Sequence, residues 1–474
     1  MQKTIEESCS VAAEERLLQE LQLVLIPQGQ QHLLQFWEEL TSEQQQSLAD
    51  QIRSIDFCQL NRLIAGDVAS SGKFDDQANV NPPAARRLGQ SSSTESSDAR
   101  RAGESLLRSG KCGVVIVAGG QGSRLGFDHP KGMFPVGPVS DATLFQILIE
   151  KIRATANRFA TAIPLYLMTS PATHQETVEF LDANNRFGLN ESELIVFCQG
   201  IMPGVDSNGK LVLARKDTVF LSPDGHGGML SAMKGSGALA DMSDRGIEHL
   251  FYCQIDNPLV DLLGTEFLGY HLLANSDVTT QVVAKQDSSE KVGNVVEIDG
   301  RLQIIEYSDL PQAMAEVRQP NGDLRLWAGN LAVHAFRVAF LQRSCEGDCQ
   351  LPFHVARKKI PYTRDDGIVV KPTEANGIKF EQFIFDLLPM AHNALVVEVS
   401  EQEVFAPLKN AEGKDSPDYV RNRISELHRS WLLQAGVEIP ETMTVEISPL
   451  AAISPEDLRV ASLTVPGANE WHIA

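Results

Sequence analysis

The 474-residue sequence predicts an α/β protein, with a mixed, mostly parallel sheet and flanking helices between a helical N-terminal layer and a small C-terminal domain. Three observations predict that class. The β-branched run Val114–Val117 ends abruptly in glycines, the pattern of a buried parallel strand feeding a loop. Strand-length and helix-length apolar segments then alternate as far as Cys198, and a β-α-β-α-β order calls for right-handed crossovers. Composition shifts bracket this core on both sides.

From about residue 12 to 65 the pattern is helical. Leu33, Phe36, Trp37 and Leu40 fall at i, i+3, i+4 and i+7, giving one apolar face, and Thr41 with Gln44 reads as a capping box. Trp37 at that spacing is read as core rather than as a ligand platform. Residues 66–102 are poor in large apolar side chains and include SSSTESSDARR at Ser91–Arg101, which reads as a linker or surface excursion. The predicted division is therefore a helical region over 1–65, that linker over 66–102, a central α/β domain over 103–405 and a C-terminal domain over 406–474.

After the first strand, Gly119, Gly120, Gly122 and Gly126 let main-chain N–H groups approach an anion, while Arg124 and Lys131 bring positive charge. The outline is a phosphate cradle. A dinucleotide fingerprint fails because Leu125 stands where its third glycine belongs, and no Gly-Lys-Ser/Thr completes a P-loop. Helices are expected over Thr143–Ala160 and Thr173–Ala183, and strands over Pro164–Thr169 and Leu194–Cys198. The second strand ends at Thr169-Ser170 without the acid that would hold a ribose diol, a further count against a nicotinamide cofactor.

Asp224–Gly228, DGHGG, forms a second glycine cluster before a helix expected over Met229–Ala240. Strand His249–Gln254 brings Asp256 just past its end. That residue is either a magnesium ligand opposite the phosphate loop or a turn-forming Asp before Asn257-Pro258. Val295–Ile298 and Arg301–Glu306 flank Asp299-Gly300, a hairpin signal, and Glu306, Tyr307, Gly329 and Asn330 edge apolar strands where a sugar could be gripped. Lys379 precedes Phe380, Phe383 and Phe385, read as a helix whose aromatics are core. The tail brings PLKN at Pro407–Asn410 and a charged helix near Pro417–Ala435.

Charge narrows the function. The formal net charge of −21 argues against a nucleic-acid surface, and an acidic protein that binds polyphosphate must gather its basic residues locally or recruit a metal. The seven cysteines fit a reducing compartment, and neither a basic n-region with an apolar h-segment nor a run of membrane-spanning length is present, so cytoplasmic residence is the expectation. Oligomeric state is not legible.

With these residues assembled, the chain resembles the eukaryotic-type UDP-N-acetylhexosamine pyrophosphorylases, within the wider UDP-sugar pyrophosphorylase group. The likeness runs from about His32 to Leu427 through GQQHLLQFWEEL, AGGQGSRLGFDHPKGMFPVG, TLFQI, SPDGHGG, YCQIDNPLV, EYSDL, AGNLA, HVARKKIPY, NGIKFEQFIFD and PLKN, in the same order. It implies a nucleotide-diphospho-sugar transferase-like fold. The implied reaction is uridylyl transfer from UTP to a sugar 1-phosphate, with Mg²⁺ and release of pyrophosphate. Val117, Ala118, Gly119, Gly120, Lys131, Gln199, Gly225, Asp256 and Lys379 become nucleotide and phosphate contacts by that resemblance. Arg124 joins Lys131, Asp256 and Lys379 as catalytic, and Asp256 becomes the metal ligand. His226, Gly293, Glu306, Tyr307, Asn330 and Lys409 become sugar or sugar-phosphate contacts.

Two departures stand out: His226 replaces the usual Asn of the PDG-x-GG segment, and Phe134-Pro135 replaces a more polar pair. Both bear on the sugar more than on the reaction. N-acetylglucosamine 1-phosphate is the expected substrate, with glucose or galactose 1-phosphate, or a non-catalytic UDP-sugar sensor, as the alternatives.

Overall fold

A computed structural model describes residues 2–66, 79–88, 94–346, 351–458, 463 and 465–474, without the side chains of 2–13. The chain divides into two units. The first takes the described residues of 1–73, 200–228 and 351–383, and the second those of 74–199, 229–350 and 384–474.

The second unit is built on one large sheet. In chain order its strands are β1 (Ala85–Arg87), β2 (Cys112–Val117), β3 (Leu165–Thr169), β4 (Leu194–Cys198), β5 (His249–Gln254), β6 (Val278–Ala284), β7 (Asn294–Ile298), β8 (Arg301–Ile305), β9 (Ala328–Arg337) and β10 (Ala394–Glu398). Their spatial order is β1-β10-β6-β9-β5-β2-β3-β4, with the hairpin β7-β8 joined to β9. All pairs on that path are parallel except those of β9 with β5 and β6.

β2 to β5 match the expected strands to within a residue or two because each reads as a continuous apolar run; β2, β3 and β5 are buried almost throughout, while β4 at the sheet edge is mostly half-buried. Cys253 is buried on β5 as expected, and burial pushes its thiol up to about 12. Asp299 and Gly300 both take positive φ, which makes the β7-β8 turn the primed type that its sequence called for. Helix Leu144–Phe159 is capped by Thr143, and Pro417–Gln434 by Ser416 with proline at its first turn.

Two expectations change in this unit. Ser91–Arg101 was read as part of a linker, yet Thr94–Arg108 is a helix packed on Thr265–Leu273. A Cβ on Gly103 would lie 1.9 Å from the Thr265 carbonyl oxygen, and one on Gly269 1.7 Å from that of Ala99. Up to Gly103 the buried stripe is made of the small residues Ser96, Ala99 and Gly103, which a search for large apolar side chains passes over; Leu106 and Leu107 complete it. Residues 67–78 and 89–93 of the same stretch lie outside the described residues. The helix expected over Met229–Ala240 is two helices, Met229–Ser236 and Ala238–Asp244, broken at Gly237 with φ 84°.

In the first unit, helices Gln2–Leu25, Ser42–Arg53 and Phe57–Ala65 cover a three-stranded sheet in which Gly377–Gln382 pairs with Phe353–Lys358 and Val205–Asp206. The Thr41 capping box forms with both bonds present. Leu33 and Trp37 are buried, but in two one-turn 3₁₀ segments rather than one α-helix. Lys379 and Phe380 belong to the strand Gly377–Gln382, not to an aromatic helix, and Ile384 opens a 3₁₀ segment in the second unit. Among the described residues no helix is long and apolar enough to cross a membrane.

Candidate active site

In the second unit the carboxyl ends of the adjacent strands β2 and β5 bring the glycine loop and Asp256 together. The Ile255 N–H donates to the Val117 carbonyl at 3.0 Å, so the residues after β5 leave the sheet beside Ala118 and Gly119. Ligands of open α/β sheets bind at such carboxyl ends.

The loop is folded on itself. Lys131 N–H donates to Gly120 O at 3.0 Å, and Gly122 N–H to His129 O at 2.9 Å. Gly122 is required by this packing, since a Cβ there would lie 2.7 Å from Phe127. The turns consume the N–H groups of Gly122, Leu125, Gly126, Phe127 and Lys131. Those of Gly119 and Gly120 have no acceptor among the described residues, and a Cβ on exposed Gly120 would meet nothing within 4 Å. Arg124 stands exposed in the turn Ser123–Leu125 and makes no ion pair among the described residues.

Lys131 and Asp256 form the charged centre. The Lys131 ammonium lies 3.6 Å from Asp256 Oδ2 and donates to Leu408 O at 3.3 Å, with only 19% and 13% of the two side chains exposed. The Leu408 N–H in turn donates to the Asp256 carbonyl oxygen at 2.8 Å. The PLKN turn is thereby fixed to the end of β5, and Lys409, whose ammonium sits 5.8 Å from the Phe405 ring centroid, is the next residue. Gln199, buried after β4, lies against Gly119: a Cβ on Gly119 would be 2.7 Å from Gln199 Oε1.

A second group gathers at the β7-β8-β9 edge. Asn330 N–H donates to Gly293 O at 2.8 Å, and a Cβ on Gly293 would lie 3.3 Å from Glu306 Oε1, so Gly293, Glu306 and Asn330 stand together. Tyr307 follows them, 47% exposed.

Gly225, His226 and Lys379 are in the first unit. Gly225 has φ 88° and would meet Gln382 O at 2.3 Å if it carried a Cβ, while the Gln382 N–H donates to Asp224 O at 2.7 Å. The His226 ring lies 5.2 Å from Phe383, and burial pushes it down to about 4, so it is neutral at pH 7. Lys379 rests 5.0 Å from the Phe220 ring centroid, and burial lowers its amine.

Three residues at the site carry no motif signal in the sequence. Ser170 donates from Oγ to Gly119 O at 2.8 Å and so holds the loop's first glycine. Lys285, 5% exposed, donates to Asn294 Oδ1 at 2.8 Å next to the Gly293 group, with its amine lowered by desolvation. Asp415, in the left-handed region at φ 65°, accepts the Lys409 and Asn410 N–H groups on its carbonyl oxygen at 2.8 and 3.1 Å. Burial raises its carboxyl, Lys409 and Lys414 oppose the rise and Asp256 adds to it. The only local signal for Asp415 was its place in a Gly-Lys-Asp-Ser-Pro turn.

Among the described residues no three His, Cys, Asp or Glu side chains gather as a metal site, so Asp256 is a single carboxylate beside the loop. A donor set of this kind would fit Mg²⁺, which takes one or two carboxylates and draws its other oxygens from substrate phosphates and water.

A family model described as UTP–glucose-1-phosphate uridylyltransferase matches residues 57–433. The chain is 36% identical over 467 residues to human "UDP-N-acetylhexosamine pyrophosphorylase-like protein 1", covering 91% of this chain and 92% of that protein. It is 33% identical over 455 residues to the "UDP-N-acetylglucosamine pyrophosphorylase" of Saccharomyces cerevisiae, covering 92% and 95%. The crystal structure of the uridine diphosphate N-acetylglucosamine pyrophosphorylase from Trypanosoma brucei in complex with inhibitor superposes with a TM-score of 0.79 at 24% identity, over 97% of this chain and 98% of that one, a likeness of fold.

Proposed function

The chain belongs to the UTP–glucose-1-phosphate uridylyltransferase family, and on that premise we propose that it converts UTP and N-acetylglucosamine 1-phosphate to UDP-N-acetylglucosamine and pyrophosphate. The observation that carries this reading is the Lys131–Asp256 pair, which joins the loop after β2 to the end of the adjacent parallel strand β5, beside two glycine N–H groups that have no acceptor among the described residues.

In the proposed reaction a phosphate oxygen of the sugar 1-phosphate attacks the α-phosphorus of UTP in line. The bond to the β-phosphate oxygen breaks, and pyrophosphate carries the electron pair away. No protein nucleophile is needed, so catalysis rests on positioning and charge stabilisation. Gly119 and Gly120 offer backbone donors to the phosphates, Lys131 stabilises charge on the reacting phosphoryl group, and Arg124 does so on the departing pyrophosphate. Within the second unit Gln199 serves the nucleotide with Val117 and Ala118. Gly293, Glu306, Tyr307, Asn330 and Lys409 of the same unit serve the sugar phosphate. Mg²⁺ held by Asp256 would neutralise phosphate charge and orient the phosphate oxygens.

Purified protein supplied with UTP, Mg²⁺ and a panel of sugar 1-phosphates tests this. The expected result is pyrophosphate release, greatest with N-acetylglucosamine 1-phosphate. No release with any sugar would overturn the reaction, tight UDP-sugar binding without turnover would make the chain a sensor, and preference for glucose or galactose 1-phosphate would overturn only the sugar.

A further inference from the structure

Away from the glycine loop, the second unit contains a cavity of about 360 Å³ among helix Leu144–Phe159, the turn Pro258–Leu262, helix Pro417–Gln434 and strand Thr444–Ile447. It adjoins another of about 460 Å³ that reaches Gln281 on β6, and the two share Arg100, Thr155, Asp261, Leu262, Glu403 and Val404.

The basic residues on these walls already have partners. The Lys151 ammonium donates to the Pro258 and Val260 carbonyls at 2.7 and 2.9 Å, Arg100 donates to Glu266 at 2.9 Å, and Arg158 pairs with Asp457 at 3.4 Å. His428 accepts the Ile447 N–H at 3.0 Å, and burial pushes it down to about 3, which leaves it neutral. Two carboxylates are different. Among the described residues, the side chains of Asp261 and Glu403 make no hydrogen bond and no ion pair within 4.0 Å, although both are open to solvent. Crowding by protein raises the Asp261 carboxyl; Lys151 opposes the rise, and Glu403 and Glu266 add to it.

Gln281 is the second, independent sign. It is 0% exposed, it lines the larger lobe, and neither its Nε2 nor its Oε1 has a partner among the described residues. A buried amide left unpaired costs about 1–3 kcal/mol, and a ligand able to donate and accept would relieve that cost.

We infer that this two-lobed cavity binds a compact organic cation, an ammonium or guanidinium compound with a short apolar body. Asp261 and Glu403 meet the charge, Gln281 meets a polar group, and Leu262, Val404 and Trp431 pack the body. An anion would face two unpaired carboxylates. A bare metal ion finds no trio of ligating side chains among the described residues. The wall is continuous with the proposed catalytic segment, because the Asn257 amide bridges Val404 O at 2.8 Å and Ala406 N at 3.1 Å directly after Asp256.

Calorimetric titration of the full chain with agmatine, which carries a guanidinium and an ammonium, tests the site without reference to turnover. Saturable one-to-one binding is expected, undiminished by UTP, with none for pentanol or glutarate. Asp261→Asn should weaken agmatine roughly tenfold or more, as loss of a charge-assisted bond does. Glu403→Gln, at an exposed position that leaves the fold untouched, should weaken it several-fold. Absence of saturable heat, competition by UTP, or wild-type affinity in both variants would overturn the proposal.

Discussion

Gly120 in the Gly119–Gly126 turn of one unit and the glycines of Asp224–Gly228 in the other look alike in sequence, yet their surroundings differ. At Gly225, Gly227 and Gly228 an added Cβ would lie 2.1–2.5 Å from Gln382, Phe383 and Asp224, so the protein's own packing excludes any side chain. At Gly120 nothing of the protein comes within 4 Å. A glycine that the fold does not need is better explained by what approaches from outside. The charges divide in the same way: Lys131 is held 3.6 Å from Asp256, whereas His226 is buried neutral against Phe383.

The largest expected effect lies in the first turn. Lys131→Ala should lower turnover by about 10²–10³, the loss typical when one preorganised charge is removed from a developing anion. Steady-state pyrophosphate release together with a thermal melt checks it, and the melt guards against a folding defect. A decrease below about tenfold would move the catalytic charge away from β2 and sink the contrast between the two turns.

The second turn should fail through stability. Gly225→Ala must place a Cβ 2.3 Å from a backbone oxygen at φ 88°, where L side chains are strained. Overpacking of this kind costs about 1–3 kcal/mol, readable as a drop in denaturant midpoint. If the variant melts normally and loses only turnover, Gly225 is kept for a ligand as Gly120 is.

The sequence revealed the two regions unequally, for a physical reason. β2, β3, β4 and β5 are apolar on both faces, and the Asp299-Gly300 turn states its own geometry, so each carried a local signal. Nothing local says that Val205–Asp206 pairs with Gly377–Ile378, because that contact joins segments far apart in the chain. The discontinuous first unit was therefore illegible, and Phe380 was assigned to a helix. Helix Thr94–Arg108 hid behind its small residues. In the site, Lys131 and Asp256 were each readable from strand ends, but their pairing was not. Ser170 and Asp415 act on the loops through a hydroxyl and a backbone carbonyl, and neither contribution has a pattern to recognise.

A pH experiment separates the two titrating groups of the second turn. Burial pushes Asp224 up to about 6 and His226 down to about 4. Asp224, neutral in the fold, contributes stability at low pH that is lost as pH rises through about 6. His226 has the opposite sense: its stability is present above the ordinary histidine value and is lost as pH falls toward 4. The two slopes nearly cancel between pH 5 and 6. In His226→Asn only the Asp224 slope remains, so the variant should gain about 1–2 kcal/mol relative to wild type between pH 7 and 5 in denaturant titrations. A constant difference across that range would mean that His226 is not held neutral. The same variant, assayed with the sugar panel, also reports whether this position reads the sugar.

The smallest effect is the sharpest test of the comparison. Gly120→Ala meets no clash and no positive φ, so replacing glycine by alanine should leave stability unchanged or raise it by about 0.4–1 kcal/mol by restricting the unfolded chain. Turnover should still fall by roughly tenfold, because a methyl group displaces a phosphate from two backbone donors, each such interaction being worth about 1 kcal/mol or more. Gly235→Ala is the control: it lies in the helix Met229–Ser236, also with open space around its Cβ, and should stabilise the chain without touching turnover. Opposite signs of stability and activity at Gly120, set against matched signs of loss at Gly225, would separate a glycine kept for a ligand from one kept for the fold. Unchanged turnover in Gly120→Ala would return the first turn to an ordinary strand-to-helix connection.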